Sequence, residues 1–159
     1  MKKSQIKSFL KKQIKLSCYA EMDSLKPGNV HKYSSGHGMT AKDFYKSANI
    51  IANYLTQNNY HFGKKILKCV EEIKKKVKKN TNLGIILLFA PVISILLKNG
   101  FLDKRNLYKK ISLFIKSQNI KSSLPIFKAI KIAAPGGLGK SNRYDVNYLP
   151  KVTLFNAMN

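Results

Sequence analysis

The stretch 80-NTNLGIILLFAPVISILLKNG-100 decides the fold. From Leu83 to Leu97 it is a 15-residue apolar run with Pro91 inside it, short of the roughly 20 residues that cross a bilayer as a helix. It reads as a buried helix over 83–98, capped by Asn80-Thr81-Asn82 and terminated by Asn99-Gly100. A helix that is apolar on every side has to be wrapped by others. The rest of the chain supplies the wrapping.

Ile6, Phe9, Leu10, Ile14 and Cys18 fall on one stripe and predict an amphipathic helix over 4–24 with a lysine-coated outer face. It must stop near Lys26-Pro27-Gly28, because proline disfavours helical geometry in the residue before it. Residues 29–40 read as a loop. Thr40 is placed to cap a second helix over 41–56, with Phe44, Ala48, Ile51 and Leu55 inward. Ile66, Val70, Ile73 and Val77 keep a 4-3-4 spacing and predict a third helix ahead of the NTN cap. A fifth fits 103–117 through Leu107, Ile111, Phe114 and Ile115. A sixth is expected from a Ser122 or Ser123 cap, with Pro125 in its first turn and Ile126, Ala129, Ile130 and Ala133 inward, ending at Pro135–Gly139. No alternating strand pattern and no repeat interrupts this order. The fold class is therefore all-α: a single domain over 1–159, about six helices around an apolar central helix.

The charge is extreme, with 30 Lys and Arg against 7 Asp and Glu, a net +23. Such a field favours phosphate-rich ligands, nucleic acid or anionic membrane. The excess is nearly all lysine, with arginine only at Arg105 and Arg143, and it is spread over every segment together with Ile and Asn. That spread fits codon bias as well as it fits selection for a binding face. Cys18 and Cys69 stand in neither a C-x-x-C pair nor zinc-ligand spacing, so they read as reduced thiols of a cytoplasmic protein. The N-terminus begins with lysines as an export signal does, but Lys7, Lys11, Lys12 and Lys15 interrupt any apolar core. No membrane partner is expected.

Three helix breaks collect the unusual residues: 26-KPGNVH-31, 80-NTNLG-84 and 135-PGGLGKSNRYD-145. In an antiparallel bundle the first two would lie at one end. The third lacks the G-x-x-x-x-G-K-[ST] spacing of a phosphate loop, and no strand precedes it. His31 and His37 with Glu21 or Asp43 show no fixed zinc spacing. Each break alone is most often only a turn or a cap.

Taken in order, the breaks resemble the triphosphoribosyl-dephospho-CoA synthase family, whose members make the precursor of the citrate lyase and malonate decarboxylase prosthetic group. The resemblance runs through Glu21, KPGNVH, DFYKSA at Asp43–Ala48, the NT-x-x-G step at Asn80, Thr81 and Gly84, then PGGLG and the YDV at Tyr144–Val146. It covers roughly residues 15–150. The chain departs from better-characterised members by carrying Asn82 and Leu83 where they have histidine and lysine, and His37-Gly38-Met39 where they have His and Asp before Met. Family members are longer, so the chain is expected to correspond to the N-terminal part of their fold, alone, as a homo-oligomer or completed by a second chain.

The resemblance implies a glycosyl transfer: ribose C1 of ATP moves to the ribose hydroxyl of dephospho-CoA or a related acceptor, and adenine leaves. Such chemistry calls for a carboxylate that takes the acceptor proton or balances charge growing on the sugar. Glu21 is that candidate, and His31 the group facing adenine. Lys26, the backbone at Gly28 and Gly84, and the neutral donors Asn29, Asn80, Thr81 and Asn82 are expected to bind ATP. Mg2+ is expected on Glu21, Asp145 and Asp43. Two rival readings follow from charge and length: a lysine-rich helical module that binds nucleic acid, and an inactive or partner subunit of a split enzyme. The first is disfavoured because the tyrosines and phenylalanines mostly fall on core stripes instead of forming stacking platforms.

Overall fold

A computed structural model describes residues 2–136 and 138–158. The chain forms α1 (Lys3–Asp23), α2 (Ala41–Leu55), α3 (Phe62–Lys76), α4 (Leu83–Asn99), α5 (Lys104–Lys116), α6 (Ile120–Ala133) and a short α7 (Leu154–Met158). Among the described residues there is no named strand, only two isolated bridges in the loop after α1. The all-α, single-domain expectation holds. Ile6, Leu10, Ile14 and Cys18 of α1 are buried, as are Ala48, Ile51 and Leu55 of α2, and Ile66, Val70 and Ile73 of α3 together with Val77 just beyond it. Phe9 is the exception on its stripe: it is 43 % exposed and packs edge-on against Phe101.

The central helix is α4, which touches α1, α2, α3 and α5. It is not enclosed on every side, however, because Leu88 is 71 % exposed. α5 leaves α4 at a bend of 111° after a short connection. No single helix among the described residues is long and apolar enough to cross a membrane.

Two further expectations need correction. Asn119, not Ser122 or Ser123, caps α6: its side chain accepts the Ser122 N–H at 2.9 Å. Asparagine is as good a cap as serine, and this choice places Pro125 in the second turn and frees Ser123 for the interior. Ser123 is fully buried, donates its hydroxyl hydrogen to the Asn119 carbonyl, and accepts the Leu154 N–H at 2.8 Å. That bond anchors α7, which the sequence reading lacked. Ser123→Ala leaves the Leu154 N–H without its partner, at a cost of about 1 kcal/mol; hydrogen exchange should show faster exchange confined to α7. Gly137, within the expected end of α6, lies outside the described residues.

The largest helix contact joins α3 to α6, which run parallel: Gly63 at the start of α3 meets the Ser122 carbonyl, and Ala133 at the end of α6 lies with Val70 and Ile73. α1 and α4 run in opposite directions, since Ile6 lies beside Gly100. The C-terminal ends of α1, α3 and α6 and the N-terminal ends of α2 and α4 therefore share one pole. The first two sequence breaks open there, and α6 ends there just before the third.

Candidate functional site

At this pole α1 ends as Pro27 requires. Ser24 leaves the helix with extended backbone, and both its N–H and its hydroxyl bond back to the Ala20 carbonyl. Lys26–Asn29 then form a turn closed by the Asn29 N–H on the Lys26 carbonyl at 3.0 Å, with Gly28 at φ +75° in the third place. Proline second and glycine third is the residue pattern of a type II turn. A bond of 2.8 Å from the Lys32 N–H to the Met22 carbonyl ties the loop back against the helix, and Val30 is buried beneath it. His37 and Gly38, both with positive φ, form a two-residue hairpin turn between Gly36 and Met39.

The turn folds Lys26 onto Glu21, and the two form an ion pair through Glu21 Oε1. Glu21 Oε2 is buried and has no partner. One turn earlier on α1, the Cys18 thiol is pushed up to about 11, first by burial and then by the charge of Glu21. Cys18 therefore stays a thiol and a core residue. Burial likewise raises Cys69.

α2 joins this end to the NTN segment. The Asp43 carboxylate accepts from the Thr40 N–H at 2.9 Å and from the Thr40 hydroxyl at 3.0 Å, which caps the helix. It also accepts from Lys79 Nζ at 2.9 Å, across from the segment after α3. These bonds, the Lys79 bond foremost, hold the Asp43 carboxyl below the usual range. Asn82 takes left-handed backbone angles, is buried, and donates its amide hydrogens to Ser47 Oγ at 2.6 Å and the Phe44 carbonyl at 3.2 Å. Thr81 is 2 % exposed, and its Oγ1 has no partner. Asn80 and Thr81 line a small gap with Lys79 and Ala133. Gly84 is exposed in the first turn of α4, and a Cβ there would meet nothing within 4 Å.

The predicted residues thus divide. Glu21 and Lys26 touch each other, while Asp43 and Asn82 are tied to Lys79 and Ser47 on one side of α2. Asp23 links the α1 end to α2 through the Tyr45 hydroxyl at 3.4 Å. Gly28 and Asn29 are exposed in the turn. His31 is half-buried, and its Nδ1 accepts the Tyr33 N–H at 3.3 Å, which leaves Nε2 to carry the proton of the neutral ring. Asp145 stands apart: its oxygens accept from the Ser141 and Asn147 N–H groups, so it caps its own loop. Among the described residues no group of three or more His, Cys, Asp and Glu lies close enough to hold a metal ion. Lys79 escaped the sequence reading, and Tyr45 and Ser47 entered it only as part of DFYKSA, with no role given to either. An isolated Asp in a field of lysines calls for a cation, but nothing in the order of residues says which one.

The Asp43–Lys79 pair gives a pH test. A carboxyl with a depressed folded pKa adds stability above its unfolded value of about 3.9, and loses it as pH falls through the folded value. Lys79→Met should therefore destabilise by about 1 kcal/mol or less at pH 7. Denaturant melts should show the gap closing in strong acid, and a carboxyl NMR titration should move Asp43 back toward the ordinary range.

A cavity of about 780 Å3 lies at the opposite pole and includes none of these residues. Neither any individual curated protein nor any solved structure matches the chain. A family model does, the one described as ATP:dephospho-CoA triphosphoribosyl transferase (CitG), and it aligns with residues 7–159, taking in every element from α1 to α7. With the glutamate, the KPGNVH turn and the NTNLG step gathered at one pole of a helical bundle and a match over essentially the full length, the chain belongs to the ATP:dephospho-CoA triphosphoribosyl transferase family.

Proposed function

We propose that the pole formed by the end of α1 and the start of α4 carries out triphosphoribosyl transfer, with Glu21 as the carboxylate. One observation carries the reading. Among the described residues the buried side-chain oxygens without a partner are Glu21 Oε2, in the last turn of α1, and Thr81 Oγ1, in the break before α4, and both of these helix ends lie at this pole. A buried, unsatisfied oxygen costs about 1–3 kcal/mol and calls for an explanation. A bound substrate supplies one.

In this reading the C1–N bond between ribose and adenine breaks, and C1 bonds to the acceptor hydroxyl oxygen. The acceptor loses one proton, adenine gains one, and nothing is oxidised or reduced. Glu21 Oε2 is free to take the acceptor proton or to face the positive charge that grows on the sugar. His31 presents Nε2–H on the same loop and is proposed to orient the leaving adenine by a hydrogen bond, the proton that adenine gains coming from solvent. Lys26 balances Glu21 in the resting protein and turns to the triphosphate when it binds. The turn backbone at Gly28 and Asn29 and the open first turn of α4 at Gly84 give N–H groups close approach to phosphate. Asn80 and Thr81 contribute neutral hydrogen bonds. Asn82, with its amide donors engaged by α2, offers only its carbonyl oxygen.

Magnesium brought in with a triphosphate needs only one or two protein carboxylates. Glu21 would meet it through Oε1 once Lys26 has turned to the triphosphate, leaving Oε2 for the acceptor, whereas Asp43 and Asp145 are already engaged by N–H and ammonium donors. The ion would screen the phosphate charge. The test is incubation with ATP, magnesium and dephospho-CoA, with free adenine and the mass of the coupled product measured together. Product and adenine in equal amounts are expected; ATP consumed with release of phosphate and no adenine would overturn the glycosyl reading.

A further inference from the structure

We propose that the cavity at the opposite pole is a second anion site, which seats the phosphate of a small phosphorylated ligand against Lys65 and the N-terminus of α3. Its volume of about 780 Å3 falls in the range of pockets that enclose small molecules. Its lining includes Lys64, Lys65, Lys98 and Lys121 and no carboxylate.

Lys65 is the unusual member. It is only 6 % exposed, and none of the ion pairs among the described residues includes it. The covering falls on its stem: Nζ is not among the fully buried atoms that lack a partner, so the ammonium keeps an opening while the chain that carries it is held. Burial lowers its pKa, and Lys7 adds to the effect against an opposing influence from Cys69. A lysine in this protein has solvent to turn to almost everywhere else; here it lines a cavity instead.

The N-terminus of α3 opens on the same space. His61, in the cap position, makes no side-chain bond to the first turn, and that turn holds no acidic residue. Its N–H groups keep their partial positive charge unanswered. α6, which runs parallel, begins at the same cavity, but Asn119 already caps it. Phe62 and Phe114, edge to face at 5.1 Å, form an apolar wall on which the organic part of the ligand can lie. A concave pocket with a lysine held by its covered stem suits a compact phosphate ester better than a polynucleotide, which needs an extended track of charge.

Pyrophosphate is the probe, titrated into the isotope-labelled full chain while backbone amides are followed by NMR. Saturable shifts are expected at Phe62, Gly63, Lys64 and Lys65. Lys65→Met keeps the bulk of the side chain and should weaken binding by at least roughly tenfold, since it removes a charge-assisted bond. A thermal melt checks that the variant folds, and the wild-type shift pattern stands without any variant. Glu21→Gln should titrate at these amides as wild type does, so failure here is distinct from failure of the transfer site. Shifts confined to the Glu21 pole, or a Lys65→Met affinity within about twofold of wild type, would overturn the proposal. So would tighter binding of a single-stranded oligonucleotide with shifts spread over the lysine faces, which would mark a polynucleotide surface.

Discussion

Glu21→Gln is expected to slow adenine release by at least roughly a hundredfold, the scale of a lost general base, while ATP affinity stays within about threefold of wild type. The substitution is nearly isosteric. It keeps an oxygen for Lys26 but removes the negative charge, so a loss in the chemical step with binding retained would separate charge from shape. The fold should not suffer. Glu21 Oε2 lies buried without a donor, but the side chain is 38 % exposed and its pair with Lys26 is a part-exposed one, so the melting temperature should move by no more than a few degrees. Stable protein, intact ATP binding and lost transfer is the signature of a residue held in an unfavourable state for function. A release rate within about threefold of wild type would remove Glu21 from the mechanism.

Gly63→Ala carries the largest expected cost in stability, about 3 kcal/mol, or roughly 10 °C in melting temperature for a chain of this size. A Cβ at position 63 would stand 2.2 Å from the Ser122 carbonyl oxygen and 3.4 Å from a side-chain carbon of Ile126. No rotamer relieves a clash with backbone. α3 and α6 must separate, and the stripe of Ile66, Val70 and Ile73 loses contact with Ile126, Ala129 and Ala133, all buried in one core. Gly84→Ala is the matched control. Its new methyl meets nothing, so it should be neutral or stabilise by up to about 1 kcal/mol through helix propensity. Equal melting temperatures for the two variants would show that the α3–α6 approach is not as close as described.

The contrast shows what sequence alone makes legible. Apolar spacing reports which face of a helix is inward, and the 4-3-4 stripe of α3 and the stripe of α6 were both readable that way. It does not report which neighbour covers the face. Gly63 sits near the start of a helix, where glycine attracts no notice, and its meaning depends on a carbonyl far along the chain. The same holds for Asn119, where two serines nearby were equally plausible caps until Ser123 was needed to hold Leu154. At the site, the turn chemistry of Lys26-Pro27-Gly28 and the lone Glu21 were legible because they are local. The Asp43–Lys79 and Asn82–Ser47 links are tertiary, and in a chain with 30 basic residues no pattern singles out one lysine.

The parallel pairing of α3 with α6 also dictates an order of assembly. α1 and α2 meet across a single loop and can associate early, but α3 cannot cover its second face until α4, α5 and α6 have all been synthesised. Contacts between distant segments form late because loop closure must come first. On the ribosome, then, the nascent chain carries an uncovered Ile66–Val70–Ile73 ridge until α6 ends at Ala133, and that interval is when it most depends on chaperones.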